Sequence, residues 1–125
     1  MQRFQIRWPE GVSRIEFFGP ISMSDIDAAN SILSGDERYY SSSKSIWDFT
    51  RSDMSTIEPE QIYTALAMDL GVAKTLRKFN LALVVTESHG KHLCDCYIKE
   101  MKKFKNAWRI QMFPSVDLAL EWLRF

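Results

Sequence analysis

The sequence predicts an α/β domain on a five-stranded, mainly parallel sheet with an antiparallel hairpin strand at its amino-terminal edge. Three observations carry this. Two short alternating segments separated by a turn open the chain, Leu81–Val85 is an unbroken apolar run, and strand-like and helix-like segments alternate after the hairpin. Strands separated by helices pair in parallel through right-handed crossovers. A continuous apolar run suits a central strand covered on both faces.

Each element has its own signal. Phe4, Ile6 and Trp8 alternate with Gln5 and Arg7, the period of a strand. Pro9, Glu10 and Gly11 mark a turn. Ile15 and Phe17 then alternate with Arg14 and Glu16, completing a hairpin that Gly19 and Pro20 stop. Ser22 or Ser24 caps a helix carrying Ile26, Ala29, Ile32 and Leu33, with Gly35 at its end. A loop over Asp36–Ser43, polar at Ser41, Ser42 and Ser43, leads to a short strand at Ser45–Phe49. Ser55 and Glu58 have capping-box spacing, and Pro59 fits a first turn. Ile62, Leu66, Ala73 and Leu76 then share one face of a long helix running to about Phe79, which Gly71 weakens by roughly 1 kcal/mol relative to alanine. After the buried run come a helix over Lys91–Lys105, a strand at Trp108–Phe113, a break at Pro114 and a helix capped by Ser115. That last helix carries Val116, Ala119, Leu120 and Leu123. The order is ββαβαβαβα, with about four helices.

The chain has 125 residues, which predicts one domain over 1–125. Scaling gives roughly 6,900 Å² of folded surface, enough burial for a core without disulfide or metal staples. Hydrophobic residues make up 46% and charged residues 26%, which excludes disorder, a collagen, a coiled coil or a disulfide scaffold. Sixteen basic side chains balance sixteen acidic ones, so no global field draws the chain to nucleic acid or anionic lipid. The first residues lack the apolar core of a signal peptide, and Leu81–Val85 is too short to cross a bilayer. Cys94 and Cys96 are too close in sequence for a useful disulfide. A reduced, cytoplasmic protein is the simplest expectation.

The opening hairpin, the strand Ile46-Trp47-Asp48-Phe49, the buried strand and the ending Met112-Phe113-Pro114-Ser115-Val116-Asp117-Leu118-Ala119-Leu120-Glu121-Trp122-Leu123 resemble the SpoIIAA-like superfamily. That superfamily contains the STAS domains of anti-sigma-factor antagonists and the related STAS/SEC14-type bacterial proteins. The resemblance covers nearly the whole chain. It implies a non-enzymatic regulatory module acting through a protein partner, or alternatively a SEC14-like carrier of a small apolar or lipid ligand. Asp48 matches the family's strand aspartate. The family's phosphorylated serine falls near Ile57, which has no hydroxyl; Ser55 and Thr56 are neighbours of that position and do not match it.

In parallel α/β sheets, ligand sites gather at the carboxyl ends of the strands. That places a ligand- or partner-binding site on the segment after the third strand, at Asp48, Thr50, Arg51, Ser52, Asp53, Ser55 and Thr56. Thr86, Ser88 and His89, after the fourth strand, line the same edge beside Glu87. Hydroxyls, a guanidinium and a helix start suit an anion or phosphate, although the same residue types also serve as plain helix caps.

His89, His92 and Cys96 share a helix face at about 100° per residue and are weak metal candidates. Cys94 points instead to the apolar stripe. Lys99 and Lys103 disfavour a dication there, and no short zinc spacing is matched. Residues 1–62 carry 6 basic and 10 acidic side chains, and residues 63–125 the reverse. The lysines of the later half read as the solvated face of an amphipathic helix and lack a groove-reading motif, so nucleic acid is not expected. Trp8, Trp47 and Trp108 fall on strands. Tyr39, Tyr40, Trp122 and Phe125 fall in loops or at the terminus, where an exposed cluster would suit a homodimer seam or an apolar ligand. No triad order, nucleophile elbow, P-loop or dinucleotide fingerprint appears, so neither catalysis nor a cofactor is expected. Cys96 with His92 lacks an orienting third group.

Overall fold

Alternation sets the first two strands. In the computed structural model, which describes residues 2–124, Phe4–Arg7 (β1) pairs antiparallel with Ser13–Pro20 (β2), Phe4 opposite Phe17 and Ile6 opposite Ile15. The intervening turn places Glu10 and Gly11 at positive φ, 53° and 79°, and the glycine adopts that geometry without a Cβ penalty. The later elements are α1 (Met23–Ser34), α2 (Glu37–Ser42), β3 (Lys44–Asp53), α3 (Ile62–Ala73), β4 (Lys78–Val84), α4 (Ser88–Lys102), β5 (Ala107–Phe113) and α5 (Val116–Leu123). The expected five-stranded sheet forms with strand order equal to chain order, and every pair after the first is parallel. One row of side-chain positions runs across it: Ile6, Ile15, Trp47, Leu83 and Met112. The accessible surface, 7043 Å², matches the scaling expectation.

The apolar run is an interior strand, flanked by β3 and β5 and one place from the middle. Its two-residue period splits it between two cores. Leu81 and Leu83 pack beneath α1, α3 and α4, whereas Ala82 and Val84 pack with Ile46, Phe113, Ala119 and Leu123 beneath α5. Phe4, Phe17, Trp47 and Phe49 form an aromatic stack in the larger core, with Phe17 4.9 Å from Phe49 and 5.6 Å from Trp47 between ring centroids. None of the helices among the described residues is long and apolar enough to cross a membrane.

Several boundaries differ from the sequence reading. The Asp36–Ser43 loop contains α2, whose N-cap Asp36 accepts a hydrogen bond from the Arg38 amide at 2.9 Å. Tyr39, expected in an exposed cluster, is buried against Phe79. Trp122 packs on Phe113, exposed Tyr40 meets buried Tyr39 edge-to-face, and Phe125 lies outside the described residues, so no exposed cluster of these aromatics forms among the described residues. β2 ends at Gly19 and Pro20 as expected, and both still pair with β3, Pro20 opposite Asp53. The capping box lies between Glu58 and Gln61, around a short 3-10 turn that begins at Pro59. The long helix ends at Ala73. Phe79 belongs to β4, where it lies 4.8 Å from Trp108, and the Trp108 indole N–H donates to the Leu76 carbonyl at 2.7 Å. The helix expected at Lys91–Lys105 is α4, displaced three residues toward the amino terminus.

Candidate functional site

β3 outruns β4. Its pairing with β4 ends at Asp48–Val84, while its pairing with β2 continues to Asp53 opposite Pro20. Thr50, Arg51, Ser52 and Asp53 are therefore the tip of a two-stranded ribbon that projects past the carboxyl edge of the sheet, where a loop was expected.

A β-bulge aims this tip. Between Glu16 and Phe18 lies one residue of β2, and between Asp48 and Arg51 lie two of β3. Such an insertion leaves a backbone group unpaired and increases the local twist. Asp48 supplies the missing partner: its Oδ1 accepts from the Thr50 amide at 3.0 Å and from the Thr50 hydroxyl at 2.7 Å. Asp48 is buried, and the bulge engages it. The Ser52 hydroxyl donates to the Phe49 carbonyl at 2.9 Å.

Arg51 and Asp53 point to solvent, and Arg51 forms no ion pair with Asp53 or any other group among the described residues. Asp53 accepts from the Ser55 amide at 2.9 Å, and this backbone bond holds its carboxyl below the usual range. Ser55 and Thr56 are exposed.

Two hydrogen bonds clamp this segment to the start of α4. Glu87 Oε1 accepts from the Met54 amide at 3.1 Å, and His89 Nε2–H donates to the Ile57 carbonyl at 2.7 Å. Gly90 completes the junction. A Cβ there would lie 2.7 Å from Val85 and 3.1 Å from the Met54 sulfur. Thr86 and Ser88 stand exposed beside this junction. The structure thus joins the two predicted segments at one edge, with His89 as a positioning group. Glu87 was expected along this edge only as a neighbour, and Gly90 was not anticipated. Removing the Glu87 carboxylate by Glu87→Ala is expected to cost about 1.5–3 kcal/mol, the usual range for a charged hydrogen bond. Faster exchange at the Met54 amide, with the centre of β4 still protected, would report the loss as local.

The metal candidates do not converge. His89 faces Ile57, His92 Nε2 lies 3.8 Å from Cys96 Sγ, and no three His, Cys, Asp or Glu side chains meet among the described residues. Cys94 lies in the core, where burial pushes its thiol up to about 12.

No family model matches the chain, and no curated protein matches it. Solved structures do. The anti-sigma factor antagonist SpoIIAA in its unphosphorylated form is similar over 97% of both chains, at 14% identity and a TM-score of 0.57. An anti-sigma factor antagonist from Mycobacterium paratuberculosis matches 98% of this chain and 93% of its own, at 17% identity and a TM-score of 0.58. A Shewanella loihica protein of the DUF3478 family, described as having a SpoIIAA-like fold, matches over 96% and 91%, at 13% identity and a TM-score of 0.57. The chain has the SpoIIAA-like fold.

Ile57, near which the sequence resemblance puts the family's phosphorylated serine, is buried, and its carbonyl holds His89. Beneath α1, α3 and α4 lies a cavity of about 70 Å³ lined in part by Met23, Asn30, Trp47, Met54, Asp69 and Tyr97. Tyr97 donates to Asp69 Oδ2 at 2.5 Å, and the buried Asn30 lies close enough to favour the charged carboxyl. Burial nevertheless pushes Asp69 up to about 7. This trio escaped the sequence reading. Its signal was an acidic residue one turn from Ala65 and Leu66 on the apolar face of α3. The volume is well below the roughly 300 Å³ expected of a small-molecule pocket.

Proposed function

We propose that this SpoIIAA-like chain is a non-enzymatic regulatory module that binds a protein partner at the carboxyl edge of its parallel strands. The observation that carries the reading is the ribbon tip, which holds Arg51 exposed and, among the described residues, without an ion pair, on a bulged strand clamped to α4. A rigid support of this kind fixes a polar contact with little ordering loss on association. The small cavity favours partner binding over carriage of a lipid. The anti-sigma factor antagonists that share the fold support a regulatory role in the same class. Ile57, which has no hydroxyl, stands near where the resemblance puts a phosphoserine, and this supports a module that works without that switch in its usual place. A cytoplasmic, partner-bound state fits the reading.

Arg51 provides the test. Affinity capture from the source organism, followed by titration of the recovered partner, should give binding that Arg51→Ala weakens by about 1.5–3 kcal/mol, the range for a charge-assisted contact. The same substitution should change stability by less than about 1 kcal/mol, because the side chain is exposed. Equal affinity for both proteins would remove the ribbon tip from the functional account.

A further inference from the structure

The opposite edge of the sheet has a different chemistry. Two stretches of the chain contain no aspartate or glutamate, residues 70–86 and 101–116. The fold brings them together, since the end of α3, the end of α4 and the start of β5 enclose an open groove of about 800 Å³. Leu70, Ala73, Phe104 and Ala107 give it a carbon surface, and Lys74, Arg77 and Lys105 surround that surface with charge. Lys78 and Lys102 flank these residues in sequence. Phe104 is 47% exposed, and none of these five cations has an ion pair among the described residues. Lys103 alone in the same segment is neutralised, by Glu100 at 2.9 Å.

Helix ends explain only part of this charge. The carboxyl termini of α3 and α4 each carry roughly half a negative charge, so together they account for about one cation. The remainder is surplus positive potential around an apolar floor. A flat bilayer would not fill a concave groove, and a single exposed aromatic offers a nucleic acid little stacking. We propose that this groove docks an acidic peptide segment of a partner protein, an apolar side chain of which lies against Leu70, Ala73 and Phe104 while its carboxylates face Lys74, Arg77 and Lys105. It is a second docking face, on the edge away from Arg51, and it stands independently of the first.

The test uses a short fluorescein-labelled peptide of alternating glutamate and leucine, followed by anisotropy at low salt. Saturable binding to the whole protein is expected, weakening as salt is raised. Reversing three exposed contacts in Lys74→Glu/Arg77→Glu/Lys105→Glu should weaken it about tenfold or more. Phe104→Ser should weaken binding while leaving the salt dependence unchanged. Lys91→Glu, which reverses one charge elsewhere, should bind as the wild type does, and circular dichroism should show all variants folded. Absence of saturable binding, or equal binding by the triple variant, overturns the proposal. So does tighter binding of phosphatidylserine vesicles or a poly-dT oligonucleotide, or salt-sensitive self-association that the triple variant abolishes.

Discussion

Asp69→Asn is expected to flatten the pH dependence of stability. The carboxyl has an ordinary value of 3.8, and burial raises it to about 7 in the folded protein. Between these values the native state holds a proton that the unfolded chain has released. The contribution of Asp69 is therefore fully present below about pH 4 and is lost as pH rises through about 7. A shift of this size corresponds to at most about 4 kcal/mol across that window. Asparagine keeps the shape, and its Oδ1 still accepts from Tyr97. Urea unfolding at pH 5 and pH 8 should show wild type losing stability on the alkaline side while Asp69→Asn changes little. At pH 8 the variant should be the more stable protein. Parallel profiles for the two would mean that Asp69 does not carry the buried proton.

Phe17→Ala should bring the largest loss at a single core position. Phe17 is fully buried, lies opposite the bulge of β3, and touches Phe4, Trp47 and Phe49 together. Truncating a buried phenylalanine costs about 3–5 kcal/mol, against a total of about 5–15 kcal/mol for a typical domain. The melting midpoint should fall on the order of 10–20 °C. Phe18, the next residue, is only partly buried, and Phe18→Ala should cost clearly less. Similar losses at both positions would mean that the aromatic stack is not where the amino-terminal strands gain their stability.

The elements whose apolar period is strong were legible from sequence. The hairpin showed period two, β4 an unbroken run, and α5 a cap at Ser115 that accepts from the Leu118 amide. Segments held by tertiary pairing were not. Thr50–Asp53 is polar throughout and becomes strand only because Phe18, Gly19 and Pro20 lie alongside it. α2 is six residues with one buried side chain, too short for a helical period to show. Phe79 fits the end of an apolar helix as well as a strand start; its place opposite Trp108 decides the matter. At the candidate edge, the strand-end rule anticipated that the two segments lie side by side. The Glu87 clamp is a contact between residues 33 positions apart, which no local pattern records.

The strand order has a consequence for how the chain assembles. Because spatial and sequence order coincide, each strand leaving the ribosome meets as its neighbour the strand completed just before it. A nascent chain ending anywhere after β2 presents one growing edge, and the next strand to emerge covers it. No strand needs to insert between two already paired, so no early pairing must be broken to admit a later one. Domains of this size often pass through trapped or aggregation-prone intermediates when distant segments must find each other. Here co-translational growth proceeds in one direction across the sheet, and α5, which follows the last of the five strands, closes the face that the crossover helices leave open.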